Sequence, residues 1–365
     1  MPTFIPGLQL SRLFFDEAVR PIIRRTVPDL KYAAALIGSG SEVLGFDDEM
    51  SSDHHWGPRV MIFLAEEDEK IEGLITTALR QELPPTFLGY STNFSEPNPN
   101  DNNTQLLVPG VEGAINHRVD ISTLRAYLRS YLNFDINTEM EPADWLTFPE
   151  HKLRSIAGGR VFHDGIDAQK VLDRFEYYPH DVWLYLLASG WNRIGQEEHL
   201  MGRAGHAGDE LGSALIASRL VRDIMRLCFL MERVYAPYPK WFGTAFRKLN
   251  CGEQIKPHLE SVLRSTSWQE REEHLVPAYE QIAMMHNDLG ITELLPTTSA
   301  NFFGRPFKVI NLIGGFSDRI KAQITDPKVK RIAANKLIGG IDQISDNTDI
   351  LSDSQWRRQL RKLYE

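Results

Sequence analysis

Apolar positions recur at helical spacing from the start of the chain. Leu8, Leu10, Leu13, Phe14, Ala18, Ile22 and Ile23 stand among charges and Pro28 closes the run, which predicts a helix over 8–27. Tyr32 to Ile37 is continuously apolar and stops at Gly38-Ser39-Gly40-Ser41, predicting a short strand and a glycine turn although alanine is a poor strand former. Val60-Met61-Ile62-Phe63-Leu64 predicts a strand buried on both faces, with a helix over 66–81 behind it. The stretch 95–109, rich in Asn and Pro, is too polar to offset its ordering entropy and is expected to be a disordered surface insertion. Beyond it Ile115, His117, Val119 and Ile121 alternate with Asn116, Arg118, Asp120 and Ser122, the period of a strand with one apolar and one polar face. Asp120 goes with the polar set.

From about Pro142 the spacing turns helical, with segments expected over 143–157, 168–176, 179–201, 208–234, 253–266 and 269–288. Trp183, Leu186, Leu187, Trp191 and Ile194 form one apolar stripe, and Leu220, Ile224, Leu227, Cys228, Met231 and Val234 another. The 365 residues exceed the roughly 250–300 at which a single core stops growing. The polar, pattern-free stretch 135–141 is the natural boundary. The expected architecture is α/β plus α: a small mixed β-sheet domain over 1–140 and a helical domain over 141–365.

Lys and Arg number 40 against 49 Asp and Glu, a net charge of −9. Phosphate-backbone affinity is built from clustered cations, so nucleic acid is not the expected partner. Two cysteines, Cys228 and Cys251, provide neither a disulfide framework nor a thiolate zinc site and suit a reducing cytoplasm. No run approaches the ~18 apolar residues of a membrane span, and Met1 to Pro6 lacks the pattern of a signal peptide, so no membrane partner is expected.

A glycine-serine turn leaving a strand offers free backbone N–H groups and no bulky Cβ, so Gly38 to Ser41 can approach a phosphate closely. Gly-Lys-Ser/Thr of a P-loop and the GxGxxG spacing are both missing. Asp53 and His55, two apart in an extended segment, share a face and reach one metal ion. Asp120 is the candidate third ligand, with Asp135 and Asp144 as rivals. Carboxylates beside a phosphate-binding turn suit magnesium-assisted nucleotidyl transfer, in which cations bridge triphosphate oxygens and neutralise the leaving pyrophosphate.

Gly40-Ser41 followed after eleven residues by Asp53-x-His55 resembles the signature of the polymerase-beta-like nucleotidyltransferase superfamily. Ile37-Gly38-Ser39-Gly40-Ser41-Glu42, Asp53-His54, Trp56-Gly57-Pro58-Arg59 and Leu227-Cys228-Phe229-Leu230-x-Glu232-Arg233-x-Tyr235-Ala236-Pro237-Tyr238-x-Lys240-Trp241 are similar to the domain-of-unknown-function 4037 family, over roughly residues 8–250. The resemblance implies triphosphate contact at Gly40 and Ser41, metal coordination at Asp53 and His55, and the third-acid position at Asp120. The chain departs at His55, where the superfamily has a second carboxylate, which hard Mg²⁺ prefers. That leaves Mn²⁺ as the metal, rescue by Asp47, Asp48 or Glu49, or a site that binds nucleotide without turnover.

At 100° per residue Arg219, Arg222, Arg226 and Arg233 fall within a stripe about 60° wide that could grip phosphates. Lys240, beside Trp241, is a further candidate phosphate contact. In antibiotic nucleotidyltransferases of the superfamily the helical domain closes over the substrate and contributes a carboxylate base. That analogy implies the same of residues 141–365, with Glu197, Asp209 and Glu232 as candidate bases. The expected activity moves a nucleoside monophosphate, AMP from ATP, onto a hydroxyl of a small molecule or macromolecule with Mg²⁺ or Mn²⁺. The alternative is a nucleotide-binding regulatory protein impaired at His55.

Overall fold

The computed structural model describes residues 3–50, 56–100, 103–109 and 113–365. It is a mixed α/β protein with a small sheet and a large helical portion, and it divides into two compact units: residues 1–139 with 152–176, and residues 140–151 with 177–365.

The first unit is built on four strands, β1 (Tyr32–Leu36), β2 (Arg59–Leu64), β3 (Arg118–Thr123) and β4 (Arg160–Asp164), in the order β3-β2-β1-β4. β1 is antiparallel to β2 and β4, and β2 is parallel to β3. The alanines of β1 hold a strand because partners on both sides satisfy its ladder and its side chains are buried, which overrides their weak propensity. Tyr32, Ala34, Val60, Ile62 and Val119 point into one core with Leu10, Phe14, Phe15, Ile22, Ile75 and Leu79. The last six come from α1 (Gly7–Phe14), the π-helical turn Phe15–Val19, α2 (Arg20–Thr26) and α3 (Glu72–Glu82).

The predicted helix over 8–27 is therefore one run with a widened turn. Pro21, at the start of α2, has no N–H to return to the preceding turn, and the chain accommodates this by widening there. The helix predicted over 66–81 starts as the 3₁₀ turn Glu66–Ile71. The expected disorder at 95–109 needs correction. Its described residues fold back through bridges Phe94↔Leu107 and Asn98↔Thr104, and Thr104 is buried. The unit also contains α4 (Leu124–Leu132), whose Tyr127 ring lies 5.7 Å from that of Phe63, α5 (Glu150–Ala157), whose residues from Lys152 onward belong to this unit, and α6 (Ala168–Leu172). The expectation that the helical part starts at 141 missed β4, which lies between two of those helices.

The second unit centres on α7 (His180–His206) and α8 (Glu210–Met231), joined by residues 207–209. They run antiparallel, as the bond from Trp183 Nε1 near the start of one to the Leu230 carbonyl near the end of the other requires (2.7 Å). The predicted stripes are buried, Trp183, Leu186, Leu187, Trp191 and Ile194 on α7 and Leu220, Ile224, Leu227, Cys228 and Met231 on α8, but Val234 lies past the end of α8 and is half-buried. α9 (Pro239–Phe246), α10 (Gly252–Arg264) and α11 (Trp268–Asp288) follow. Among the described residues no helix is long and apolar enough to cross a membrane.

Candidate functional site

β1 delivers the chain into Gly38-Ser39-Gly40-Ser41. Gly38 takes φ +83°, and a Cβ there would run into the Tyr127 hydroxyl, so only glycine fits. Gly38 N–H donates to the Ser155 carbonyl at 3.0 Å, and Phe46 N–H to the Ser41 carbonyl at 2.9 Å. Between these two anchors the N–H groups of Ser39, Gly40 and Ser41 donate to no acceptor among the described residues. Ser39 is exposed, and Gly40 and Ser41 are half-buried. Successive amides left unpaired in a turn are the kind of group that can take an anion.

A buried ion pair braces the turn. Arg59 Nε donates to Glu42 Oε1 at 2.8 Å, and a second guanidinium nitrogen lies 2.6 Å from the same oxygen and donates to the Ser39 carbonyl at 2.9 Å. The hydroxyl of Tyr131 meets Ser39 and Ser155, and its ring stacks on Tyr127 at 5.5 Å between centroids. Burial pushes the ionisation of both phenols up.

The register Arg59↔Arg118 and Met61↔Asp120 brings β3 to this end of the sheet. Asp120 is exposed and makes no hydrogen bond or ion pair among the described residues, while its charge acts on the Tyr127 hydroxyl and on Arg118. Burial first, and then the neighbouring Arg59, lowers Arg118.

The rival acids have other work. Asp135 takes Arg125 through two bonds of 2.8 and 2.7 Å and Arg129 through a third, and the Arg125 guanidinium holds its carboxyl well below the usual range. Asp144 accepts from Glu141 N–H at 2.9 Å and pairs with Arg357 at 2.8 Å and with Arg361. Asp47 Oδ2 accepts from Gly7 N–H at 2.7 Å and Trp56 Nε1 at 3.1 Å, tying down the start of α1. Asp53 and His55 lie outside the described residues. Among those described, no three His, Cys, Asp or Glu side chains stand close enough together to hold a metal ion.

In the second unit the arginine stripe needs correction. α8 ends at Met231, and Arg233 takes φ +54° past that end, where its guanidinium sits 4.1 Å from the Trp183 ring centroid. Arg219 pairs with the buried Glu197 at 2.9 Å. Arg222 and Arg226 line a cavity, and Lys240 is exposed over the Trp241 ring at 5.0 Å. Of the candidate bases, Asp209 caps α8 through Gly212 N–H at 2.7 Å. Glu232 accepts from Asn250 and Cys251 N–H at 2.8 and 2.9 Å at the start of α10, and Glu197 also faces Arg193 at 3.2 Å. All three are held by structural partners.

Sequence reasoning assigned no role to Arg59, Tyr127 or Tyr131. The one available signal was Arg59 itself, a charge opening the strand Val60–Leu64 that is buried on both faces. The family model for the Domain of unknown function (DUF4037) matches residues 145–242. The likeness expected over 8–250 is thus found over α7, α8 and their flanks, and the Gly38–Ser41 turn lies outside it. No curated protein matches the chain. Among solved structures it is similar to a nucleotidyltransferase-like protein from Exiguobacterium sibiricum 255-15, with a TM-score of 0.32 and 7% identity over 76% of this chain and 78% of that one.

Proposed function

We propose that the first unit binds a nucleoside triphosphate at the Gly38–Ser41 turn and transfers its nucleoside monophosphate, AMP from ATP, to a hydroxyl of a small molecule or macromolecule. The observation that supports this most is the row of three amides at Ser39, Gly40 and Ser41, unpaired among the described residues and braced by Arg59 and Glu42. Backbone N–H groups fixed in this way stabilise phosphate oxygens without reorganising when charge develops on them. Asp120 fits a hard cation, since its carboxylate is exposed and unpaired among the described residues. A divalent ion, Mg²⁺ or Mn²⁺, would be held by Asp120 with Asp53 and His55 and would neutralise the triphosphate and the leaving pyrophosphate. The imidazole at position 55 favours the softer Mn²⁺.

A second reading, nucleotide binding without turnover, is favoured by the engagement of Asp47: of the three acids that could stand in for the carboxylate replaced by His55, this one is already bonded to Gly7 and Trp56. Calorimetric titration with ATP and Mn²⁺ tests the site. Binding is expected in the wild type and loss of about tenfold or more in Asp53→Ala and Asp120→Asn. Equal affinity in all three proteins refutes it. Pyrophosphate release separates the two readings, because a binder saturates with ATP and releases none, and His55→Asp then raises release in Mg²⁺.

A further inference from the structure

Within the second unit, α8, the start of α9 and residues 342–352 enclose a cavity of about 410 Å³, a size that holds small organic ligands. Tyr238, Phe242 and Leu351 form an apolar wall, and Arg222 and Arg226, four residues apart on α8, share the facing side. The Arg226 guanidinium lies 5.5 Å from the Phe242 ring centroid and 3.9 Å from Glu150. The Nε atoms of both arginines are buried without a hydrogen-bond acceptor among the described residues. Asp342, on the same lining, already accepts from Glu150 N–H at 2.9 Å. Arg222 lies 4.0 Å from Asp223 through its Nε and is hydrogen-bonded at its outer end by Asp346, a side chain 69% exposed on the connection between the short helices Ile341–Ile344 and Thr348–Ser352.

We propose that this cavity binds a small organic anion whose aromatic or aliphatic body lies against Tyr238, Phe242 and Leu351 and whose phosphate or carboxylate is taken by Arg222 and Arg226, displacing Asp346. An ion pair made by an exposed side chain is weak, so an acceptor inside the cavity competes with it effectively. Bidentate guanidinium bonds gain strength where water is excluded. A cationic ligand would meet two guanidinium groups on the lining. The site belongs to the second unit alone and stands whether or not the turn of the first binds nucleotide.

Calorimetry on the full chain with phenyl phosphate, benzoate, inorganic phosphate and benzylamine tests it. Saturable binding of phenyl phosphate or benzoate is expected, at least about tenfold tighter than inorganic phosphate, with no heat from benzylamine. The tighter of the two aromatic anions identifies the head group. Asp346→Asn, an exposed change, tightens binding about three- to fivefold, and Arg222→Gln weakens it about tenfold or more. In the Arg222→Gln background Asp346→Asn has no further effect, because the competitor has lost its partner. The proposal is overturned if neither aromatic anion saturates at millimolar concentration, if benzylamine binds better, or if Asp346→Asn leaves affinity unchanged or weakened.

Discussion

His286 on α11 is a buried imidazole whose environment fixes its charge. Thr292 Oγ1 donates its own hydrogen to the Glu293 carbonyl at 2.8 Å, so at its 3.0 Å contact with His286 Nε2 it is the acceptor and Nε2 carries the hydrogen. Nδ1 is then a bare lone pair, buried with no partner among the described residues, and the rings of Phe316 and Trp191 stand 5.0 and 6.1 Å away, edge to face. A proton on Nδ1 has nothing to bond, and burial accordingly lowers the group from 6.5 to about 4. Below pH 6.5 the unfolded chain takes up a proton that the native chain refuses. The stabilising contribution is thus complete above pH 6.5 and disappears as pH falls toward 4. At pH 5 the loss is about 2 kcal/mol. Six of the seven tryptophans, all but Trp56, belong to the second unit, so urea unfolding followed by tryptophan fluorescence reports mainly on the unit that contains His286. Between pH 7.5 and pH 5 the wild type is expected to lose about 2 kcal/mol more than His286→Gln, which has no proton to gain. Equal losses in the two proteins would falsify the reasoning.

Two further substitutions have defined outcomes. Glu42→Gln leaves the Arg59 charge buried beside a neutral amide and is expected to destabilise the first unit by about 3–5 kcal/mol; Glu42→Gln/Arg59→Met loses less, both measured by thermal unfolding. Asp223 is raised to about 6 by burial, against the pull of Arg193 and Arg222, so its contribution is present below its ordinary 3.8 and lost as pH rises through 6. Asp223→Asn therefore gains on the wild type by about 2 kcal/mol between pH 4 and pH 8 in urea titrations, and a pH-independent difference contradicts the shift.

What the sequence made legible was whatever acts over a few residues. The stripes of α7 and α8 follow from spacing alone, and the Gly38–Ser41 turn from glycines that nothing else can replace. β4 stayed hidden because Arg160 to Asp164 is short, half exposed and at the edge of the sheet, so it carries neither a buried run nor a clean alternation. The described residues over 95–109 were misread because their order comes from the backbone bridges Phe94↔Leu107 and Asn98↔Thr104 and not from their own apolar content. Arg59, Tyr127 and Tyr131 meet Gly38 to Glu42 across separations that no local pattern encodes, and residues 342–352 complete the arginine-lined cavity from the far end of the sequence.

The acids weighed from sequence alone separate once their partners are counted. Asp209 and Glu232 cap helices, Asp47 ties down α1, and Asp135, Asp144 and Glu197 hold guanidinium groups. Removing a cap costs about 1 kcal/mol and breaking the buried Asp144–Arg357 pair about 3–5 kcal/mol, so at the capping acids and at Asp144 a lost activity cannot be told from a damaged fold. Asp120 has no such partner among the described residues and sits on an exposed edge position opposite Met61. Asp120→Asn is therefore expected to leave the melting temperature unchanged while removing ATP affinity. That separation of effects is what a ligand-holding carboxylate shows and a structural one does not. A fall in melting temperature as large as that of Glu42→Gln would place Asp120 among the structural acids and leave the turn without its third ligand.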